Sequence, residues 1–165
     1  RSLGSGSVSI FEQSGEKWNP THIKVGPRAE GFDLSPDEKE IWAANAGDGT
    51  VSIIDVPSKK VIATVNVGTQ QSNRLKFTPD GKRVLISDFN TGEVAVVDAS
   101  AKKVVKRIKI ASSVAGILVA PDGARAYVAA TYDGFVAIID MATLSVTNKI
   151  ATGRGPDGMD WIRGN

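Results

Sequence analysis

The sequence predicts an all-β fold, a β-propeller of four-stranded antiparallel blades, and three observations support this prediction. A unit of about 42 residues recurs along the 165-residue chain. Its Pro-Asp turns keep the register, because Pro36, Pro79 and Pro121 are 43 and 42 residues apart. Each unit contains four short runs rich in β-branched residues, and none has the length or periodicity of a helix. Four strands in each repeated unit are typical of a propeller blade.

The first run of each unit ends at the Pro-Asp turn. These runs are residues 31–34, 74–77 and 116–119. Proline sets φ in the turn, the aspartate side chain binds its own main chain, and Gly81 or Gly123 supplies a positive φ. In the first unit Glu38 stands where the other two have glycine, so we expect a different turn there.

The second and third runs are almost continuously apolar, which is typical of strands covered on both faces by neighbouring sheets. The second runs are residues 41–45, 84–88 and 126–130, and the third runs are residues 51–55, 94–98 and 136–140. The fourth runs alternate and carry Lys or Arg, and they are residues 61–65, 104–108 and 146–150. A charged, alternating strand suits the outer edge of a blade, where charge opposes edge-to-edge aggregation.

Each third run ends in an aspartate, and a glycine precedes each of these runs. The positions are Asp55, Asp98 and Asp140, and Gly49, Gly92 and Gly134. Three aspartates in one pattern could suggest a carboxylate cluster. Because they occupy the same place in successive repeats, we expect them instead to accept hydrogen bonds from turn N–H groups.

The two ends of the chain match different parts of the unit. Residues 6–11 align with residues 49–54, so we expect the chain to enter at a third strand and to complete a fourth strand by Gly26. Residues 153–161 align with residues 26–34, which predicts a first strand. Neither end provides a segment that corresponds to the second strand of this divided blade.

We therefore predict a single propeller segment over residues 1–165. Its complete blades are residues 26–65, 66–108 and 109–150, and residues 6–25 and 151–163 are parts of one incomplete composite blade. In the interpretation that we favour, the segment belongs to a larger propeller of seven or eight blades. Alternatively, a second copy completes the ring, or the chain closes a small ring by itself. The first two interpretations leave an exposed apolar blade face.

Composition limits the chemistry and the partners. The net charge of +2 is too small to indicate nucleic acid or an anionic membrane as a partner, and no apolar run is long enough for membrane insertion. The absence of cysteine excludes disulfides, zinc–thiolate sites and thiol nucleophiles. His22 is the single histidine, which argues against a His-based triad or a multi-histidine metal site. We expect no metal, no cofactor and no catalytic residue in this chain.

The second strands resemble a known Tyr-Val-Thr-Asn repeat. They read Trp42-Ala43-Ala44-Asn45, Leu85-Ile86-Ser87-Asp88 and Tyr127-Val128-Ala129-Ala130. With the Gly-Thr-Val-Ser-Ile-Ile-Asp run at 49–55 and the Val-Gly links at 25–26 and 67–68, the chain from Gly6 to Trp161 resembles the YVTN family of bacterial and archaeal β-propellers, which is related to WD40-like and cytochrome d1-like propellers.

This resemblance implies a periplasmic, secreted or cell-surface location. The wider relatives include the haem d1 domain of nitrite reductases, amine dehydrogenase heavy chains and lactonases. Because the matching motifs are structural, none of the functional residues of those relatives can be transferred to this chain, and the fold alone does not give the function.

In a propeller, the links into the first strands and the loops between second and third strands share one face. Loops on a rigid scaffold are where binding usually occurs. The predicted ligand-binding residues of this face and the channel are Arg28, Glu30, Asn45, Asp48, Asn73, Arg74, Asp88, Asn90, Tyr132, Asp133, Arg154 and Asp157. Three of them, Arg28, Arg74 and Arg154, open first strands, where they either hold an anion or are simply solvated.

The sequence therefore favours a binding or scaffold module that acts on a protein or a small ligand and has no catalysis of its own. Two alternatives stay open. The chain is part of a propeller enzyme or electron-transfer subunit of the lactonase, amine dehydrogenase or haem d1 type, or it is a self-assembling half-propeller. The expected partners are another protein, further blades or a second copy of the chain.

Overall fold

The computed structural model describes residues 6–162, which form fourteen β-strands in four antiparallel sheets. The predictions that concern residues 1–5 and 163–165 lie outside this range. The described residues form no helix, and so none that could cross a membrane. The all-β prediction is confirmed.

A two-stranded sheet begins the described chain. β1 (Ser7–Ser14) pairs antiparallel with β2 (Lys17–Lys24) around a turn at Gly15. The repeat assigns these strands to the third and fourth positions of a blade. We call this sheet the half-blade.

Three four-stranded antiparallel sheets follow, each with its strands side by side in chain order. Blade 1 contains β3 (Ala29–Leu34), β4 (Glu40–Asn45), β5 (Thr50–Asp55) and β6 (Lys60–Asn66). Blade 2 contains β7 (Ser72–Phe77), β8 (Arg83–Asp88), β9 (Glu93–Asp98) and β10 (Lys103–Lys109). Blade 3 contains β11 (Ile117–Val119), β12 (Arg125–Ala130), β13 (Phe135–Asp140) and β14 (Ser145–Ala151). The outer strands end one residue beyond the predicted blade boundaries.

Apolar side chains between neighbouring sheets form the core. Ile54 packs against the half-blade. Trp42 and Leu75 are buried between blades 1 and 2. There the Trp42 ring meets the Phe77 ring edge-on, with 5.5 Å between the ring centroids. Leu85 lies in the corresponding cluster between blades 2 and 3. Because the second and third strands are covered on both faces, their sequences are almost continuously apolar.

The outer strands bulge at one position in each blade. The residues that have no partner on the third strand are Ile62, Val105 and Thr147. A bulge adds twist and bends an edge strand, which hinders pairing with another sheet. Most other outer-strand residues are exposed, as expected for a charged edge.

The turn at Glu38 is a correction to the sequence prediction. Glu38 adopts φ +61°, close to the +70° of Gly81 and Gly123. The main-chain N–H of Glu38 donates to the Ser35 carbonyl at 2.8 Å, and Gly81 donates to Thr78 at 2.9 Å. The turn is therefore the same in all three blades, and glutamate bears the left-handed conformation.

The segment after β14 is a second correction. Residues 152–162 contain no strand, although the alignment predicts a first strand there. In blades 1 to 3 each first strand pairs with a second strand, and the described chain has no second strand beside this segment. The segment instead lies against blade 3, with the ring centroid of Trp161 6.1 Å from that of Tyr127. We call residues 152–162 the tail.

Candidate functional site

The links into first strands and the loops between second and third strands lie at the same end of the sheets, because they bond to one another. The Gly49 carbonyl accepts from the N–H groups of Val67 and Gly68 at 3.1 and 3.0 Å. Gly92 accepts from Ile110 at 3.0 Å, and Gly134 accepts from Thr152 at 2.9 Å. We call this surface the loop face; it comprises residues 25–28, 46–49, 67–71, 89–92, 110–116 and 131–134.

Glycine is required where these loops cross. Gly49 has φ +70° and Gly92 has φ +64°. A Cβ added to Gly49 would lie 2.3 Å from the Thr69 carbonyl oxygen, and one added to Gly92 would lie 2.1 Å from that of Ala111. The recurring glycine thus permits the close approach that joins one blade's loop to the next link.

Arg74 holds an ion cluster at the inner side of the loop face. Its Nη1 lies 4.0 Å from Glu30 Oε1, and its Nη2 lies 3.5 Å from Asp157 Oδ2. The cluster therefore joins blade 1, blade 2 and the tail, and its two carboxylates more than offset the single positive charge of Arg74. Arg28 and Arg154 are exposed on segments beside blades 1 and 3, so the three arginines lie on different blades and do not form one cluster.

Asn45 and Asp88 are the last residues of β4 and β8, next to the loop face. Both side chains are completely buried. Asn45 Nδ2 donates to Thr50 Oγ1 at 2.8 Å and to Ser52 Oγ at 3.0 Å. The Asp88 carboxylate accepts from the main-chain N–H groups of Gln70 and Gln71 at 2.7 and 3.0 Å. In the structure Asn45 therefore ties the end of β4 to β5, and Asp88 holds the link that contains Gln70 and Gln71.

Asp133 and Asp48 also stabilise loops, at the surface. Asp133 accepts from the Ser112 hydroxyl at 2.6 Å and from its N–H at 3.0 Å, and these two bonds lower the pKa of the carboxyl below its ordinary value of 3.8. Asp48 accepts from the Thr50 N–H at 3.1 Å and from the Thr50 hydroxyl at 2.7 Å. Asn90 is exposed, and Asn73 is half-buried.

An aromatic pair projects from the loops of blades 2 and 3. The rings of Phe89 and Tyr132 meet edge-on with 5.5 Å between centroids, and Tyr132 is 72% exposed. The sequence prediction included Tyr132 and missed Phe89. The available signal was a phenylalanine that directly follows Asp88, at the start of an otherwise polar loop.

Several buried oxygens near the loop face have no hydrogen-bond partner within the described residues. They are Asn45 Oδ1, Asn73 Oδ1, Thr91 Oγ1 and Ser113 Oγ. Buried polar atoms are normally paired. Thr91 and Ser113 were not predicted as site residues, because an isolated hydroxyl in a polar loop carries no distinguishing sequence pattern.

The repeated aspartates of the opposite face act in turns, as predicted. The carboxylates of Asp55, Asp98 and Asp140 each accept a 2.8 Å bond from the N–H of Ser58, Ala101 and Thr143 respectively. Two clefts of about 690 and 510 Å³ open on that face between adjacent blades, beside Asp80 and Asp37. Because equivalent residues line both clefts, they are a product of the repeat rather than one specialised site.

The comparisons with known proteins identify a family and a fold. The model of the Cytochrome D1 heme domain family matches residues 17–118, whereas no curated protein sequence matches the chain. Hydrazine synthase of Kuenenia stuttgartiensis is similar with a TM-score of 0.74 and 27% identity, over 81% of this chain and 40% of that one.

Two further structures show the same fold. A functionally unknown protein from Desulfotomaculum acetoxidans DSM 771 has a TM-score of 0.81 and 15% identity, over 92% of this chain and 51% of that one. The WD40 repeats of RRP9 have a TM-score of 0.69 and 14% identity, over 77% and 40% of the two chains. The chain thus spans 40 to 51% of the length of these structures.

The side chains described do not fit a haem. Haem iron takes an axial ligand such as His, Met, Cys or Tyr. His22 lies on the outer strand β2 with its Nδ1 2.8 Å from Ser9 Oγ, Met141 is buried in the core between blades 2 and 3, and Tyr132 packs against Phe89. Tyr127 packs against Trp161 of the tail, which also carries Met159. His22, Met141 and Tyr132 lie in different parts of the fold, and no group of three His, Cys, Asp or Glu within residues 6–162 could hold a metal ion.

The family match extends from β2 to β11 and so includes blades 1 and 2 completely. The propeller fold is shared with a WD40 structure, although the identity to that structure shows only the architecture. Since the family model matches more than half of the residues, the chain belongs to the Cytochrome D1 heme domain family.

Proposed function

We propose that the chain is a non-catalytic binding or scaffold module whose loop face engages a protein or a small polar ligand. The observation that carries this proposal is the exposed Tyr132 ring, which packs edge-on against Phe89. An aromatic ring that is exposed yet positioned by a neighbour loses little entropy on binding, and aromatic residues are enriched among the anchors of binding surfaces.

Polar groups around the aromatic pair support the same proposal. The Ser112–Asp133 pair borders the loop of Tyr132, and the Arg74 cluster lies on the inner side. A few placed polar groups beside apolar contact area are what orients a ligand in a binding site. The predicted residues Arg28, Asn90 and Arg154 are exposed around this surface and belong to the proposed site.

A fragment titration followed by NMR tests this function. Amino acids, dipeptides, sugars and dicarboxylates are added to the ¹⁵N-labelled chain. We expect at least one class to shift amide signals within residues 89–92, 110–116 and 131–134, and Tyr132→Ala to weaken that binding by about tenfold, the loss typical of one aromatic anchor.

Trp18→Ala is the matched control, since Trp18 is exposed to a similar extent on the outer strand β2. This variant should keep the affinity and the pattern of shifts. Shifts scattered over the outer strands, or an equal loss in both variants, would contradict a binding site on the loop face.

A periplasmic, secreted or cell-surface location belongs to the same proposal, and it rests on the YVTN resemblance of the second strands. Fractionation of the producing cell with an antibody against the chain tests the location. Recovery of the chain with cytosolic markers would oppose it.

A role in a larger redox assembly is a second candidate, which the 27% identity to hydrazine synthase of Kuenenia stuttgartiensis favours. In that case the chain would act as a structural subunit, because its own side chains do not fit a haem. Titration with haem should therefore give no Soret shift that saturates at one equivalent. Saturable binding with a His22-dependent spectrum would contradict this assignment.

A further inference from the structure

The loops between second and third strands have the same length in blades 1, 2 and 3. Their first two residues differ, and they read Ala46-Gly47, Phe89-Asn90 and Thr131-Tyr132. Among these three loops, aromatic side chains occur only where blades 2 and 3 meet, and there the Phe89 and Tyr132 rings are in contact. A feature confined to one blade interface is not a product of the repeat, in contrast to the two clefts of the opposite face.

The Tyr132 ring offers an open apolar surface at this interface. The ring contacts Phe89 edge-on and is still 72% exposed. Asn90, Ser112 and Asp133, which border the pair, are also exposed, so a ligand can lie across the ring without entering a cavity. The C–H groups of a sugar ring carry a slight positive charge, and such groups pack favourably on the negative face of an aromatic ring.

Two polar side chains beside the ring suit hydroxyl groups. The Asp133 carboxylate is held by the N–H and hydroxyl of Ser112, at 3.0 and 2.6 Å. Because a carboxylate has about four acceptor positions, it can accept from a ligand as well, and the Asn90 amide both donates and accepts. A sugar hydroxyl also donates and accepts, so neighbouring hydroxyl groups of one sugar match this pair.

Charges of both signs border the aromatic pair. The Asp133 carboxylate is negative. Lys109 Nζ donates to the Thr91 carbonyl in the loop of Phe89. Lys149 Nζ lies 4.2 Å from the centroid of the Phe135 ring, directly after the loop of Tyr132. The two lysines oppose a cationic ligand, whereas Asp133 opposes an anionic one. The surroundings therefore favour an uncharged ligand with several hydrogen-bonding groups.

We propose that the loop face binds a neutral carbohydrate, with one sugar ring stacked on Tyr132 and with adjacent hydroxyl groups bound by Asp133 and Asn90. The aromatic surface provides the contact area, and the two polar side chains orient the sugar. This inference rests on the binding function proposed above and names the class of ligand for the same site.

NMR titration of the ¹⁵N-labelled chain with neutral disaccharides tests the ligand class. The probes are maltose, cellobiose, lactose and N,N′-diacetylchitobiose. We expect at least one of them to saturate, with amide shifts in residues 89–92 and 131–134. Irradiation of the aromatic protons should transfer saturation to the C–H protons of that sugar, which shows that its ring lies on an aromatic side chain.

Three variants at exposed positions locate the contacts. Tyr132→Phe should keep the affinity, because the ring and not its hydroxyl stacks on the sugar. Asn90→Ala should weaken binding about fivefold, as for the loss of one hydrogen bond. Asn19→Ala on the outer strand β2 is the matched control and should bind normally. An equal loss in Asn90→Ala and Asn19→Ala would overturn the proposed contacts.

Charged analogues test the preference for a neutral ligand. Chitobiose with free amines should bind more weakly than N,N′-diacetylchitobiose, and 3′-sialyllactose more weakly than lactose. Tighter binding of either charged analogue would overturn the inference. If amino acids, dipeptides or dicarboxylates shift the same amides and no sugar does, the carbohydrate inference fails while the binding function of the loop face stands. If no compound of any class shifts them, both fail.

Discussion

At the residue scale, the repeat allows one position to be compared in three environments. Glu38, Gly81 and Gly123 occupy the same turn with nearly the same backbone conformation. A left-handed φ brings Cβ close to the following carbonyl oxygen in every residue except glycine. Blade 1 therefore bears a local backbone strain that blades 2 and 3 avoid.

Glu38→Gly should stabilise the protein by about 1 kcal/mol, which is the strain of one left-handed residue less the entropy that glycine adds to the unfolded chain. Urea unfolding measures the change as a higher midpoint at constant slope. Gly81→Ala is the reciprocal control: a Cβ there meets only ordinary contacts with Pro36, so any loss of stability comes from φ. A lower midpoint for Glu38→Gly would show that the glutamate side chain outweighs its strain.

At the element scale, the turns on the side of the sheets opposite the loop face have one feature in common. Each contains an aspartate whose carboxylate accepts hydrogen bonds from residues of the same turn. The Ser35 hydroxyl and the Lys39 N–H lower the pKa of Asp37, and the Thr78 hydroxyl and the Lys82 N–H lower that of Asp80. Turn hydrogen bonds likewise lower the pKa of Asp55, Asp98 and Asp140.

Stability should consequently fall in acid. Because these pKa values are lower in the folded state than the ordinary 3.8, the carboxylates stabilise the fold above pH 3.8, and this contribution is lost as the pH falls through the folded-state values. The melting temperature should be level from pH 7 to 5 and should decrease from pH 4 to 2. The double variant Ser35→Ala/Thr78→Ala should reduce the decrease, and an unchanged acid profile in that variant would contradict this origin.

At the scale of the whole molecule, the blades differ in how much of their surface is covered. Blade 2 packs against blades 1 and 3, whereas the described part of the half-blade packs against blade 1 alone. Phe11 is 58% exposed although Ile54, 43 residues later in the same register, is completely buried. In repeat architectures stability depends on such neighbour interfaces.

Hydrogen exchange should reflect this gradient. We expect the slowest exchange in β8 and β9 and the fastest strand exchange in β1 and β2, because a sheet supported on one face opens at lower cost. Mass spectrometry after pepsin digestion measures both regions in one experiment. Equal protection of the half-blade and blade 2 would show that the open face is covered in solution.

The loop face shows where sequence reasoning about the site was limited. Asn45 and Asp88 are polar residues next to loops, and the sequence does not distinguish a side chain that faces solvent from one that bonds to buried groups, as Asn45 does to two hydroxyls and Asp88 to two N–H groups. Whether such a side chain is buried depends on the neighbouring link, whose main chain covers it in the folded protein. The Arg74 cluster likewise combines residues from blade 1, blade 2 and the tail, and such convergence has no local pattern.

The sequence by itself determined the repeat, the four strands of each blade and the charged outer edges, because these follow from short-range turn chemistry and from the alternation of apolar residues. Only the tertiary structure decided which strand-like segments are paired and which apolar residues are buried. The tail forms no strand despite a first-strand sequence, and Phe32 is exposed although its repeat position is a core position in the other two blades. The physical reason is the same in both cases: a strand is paired and an apolar residue is buried only when a neighbouring segment supplies the other half of the contact.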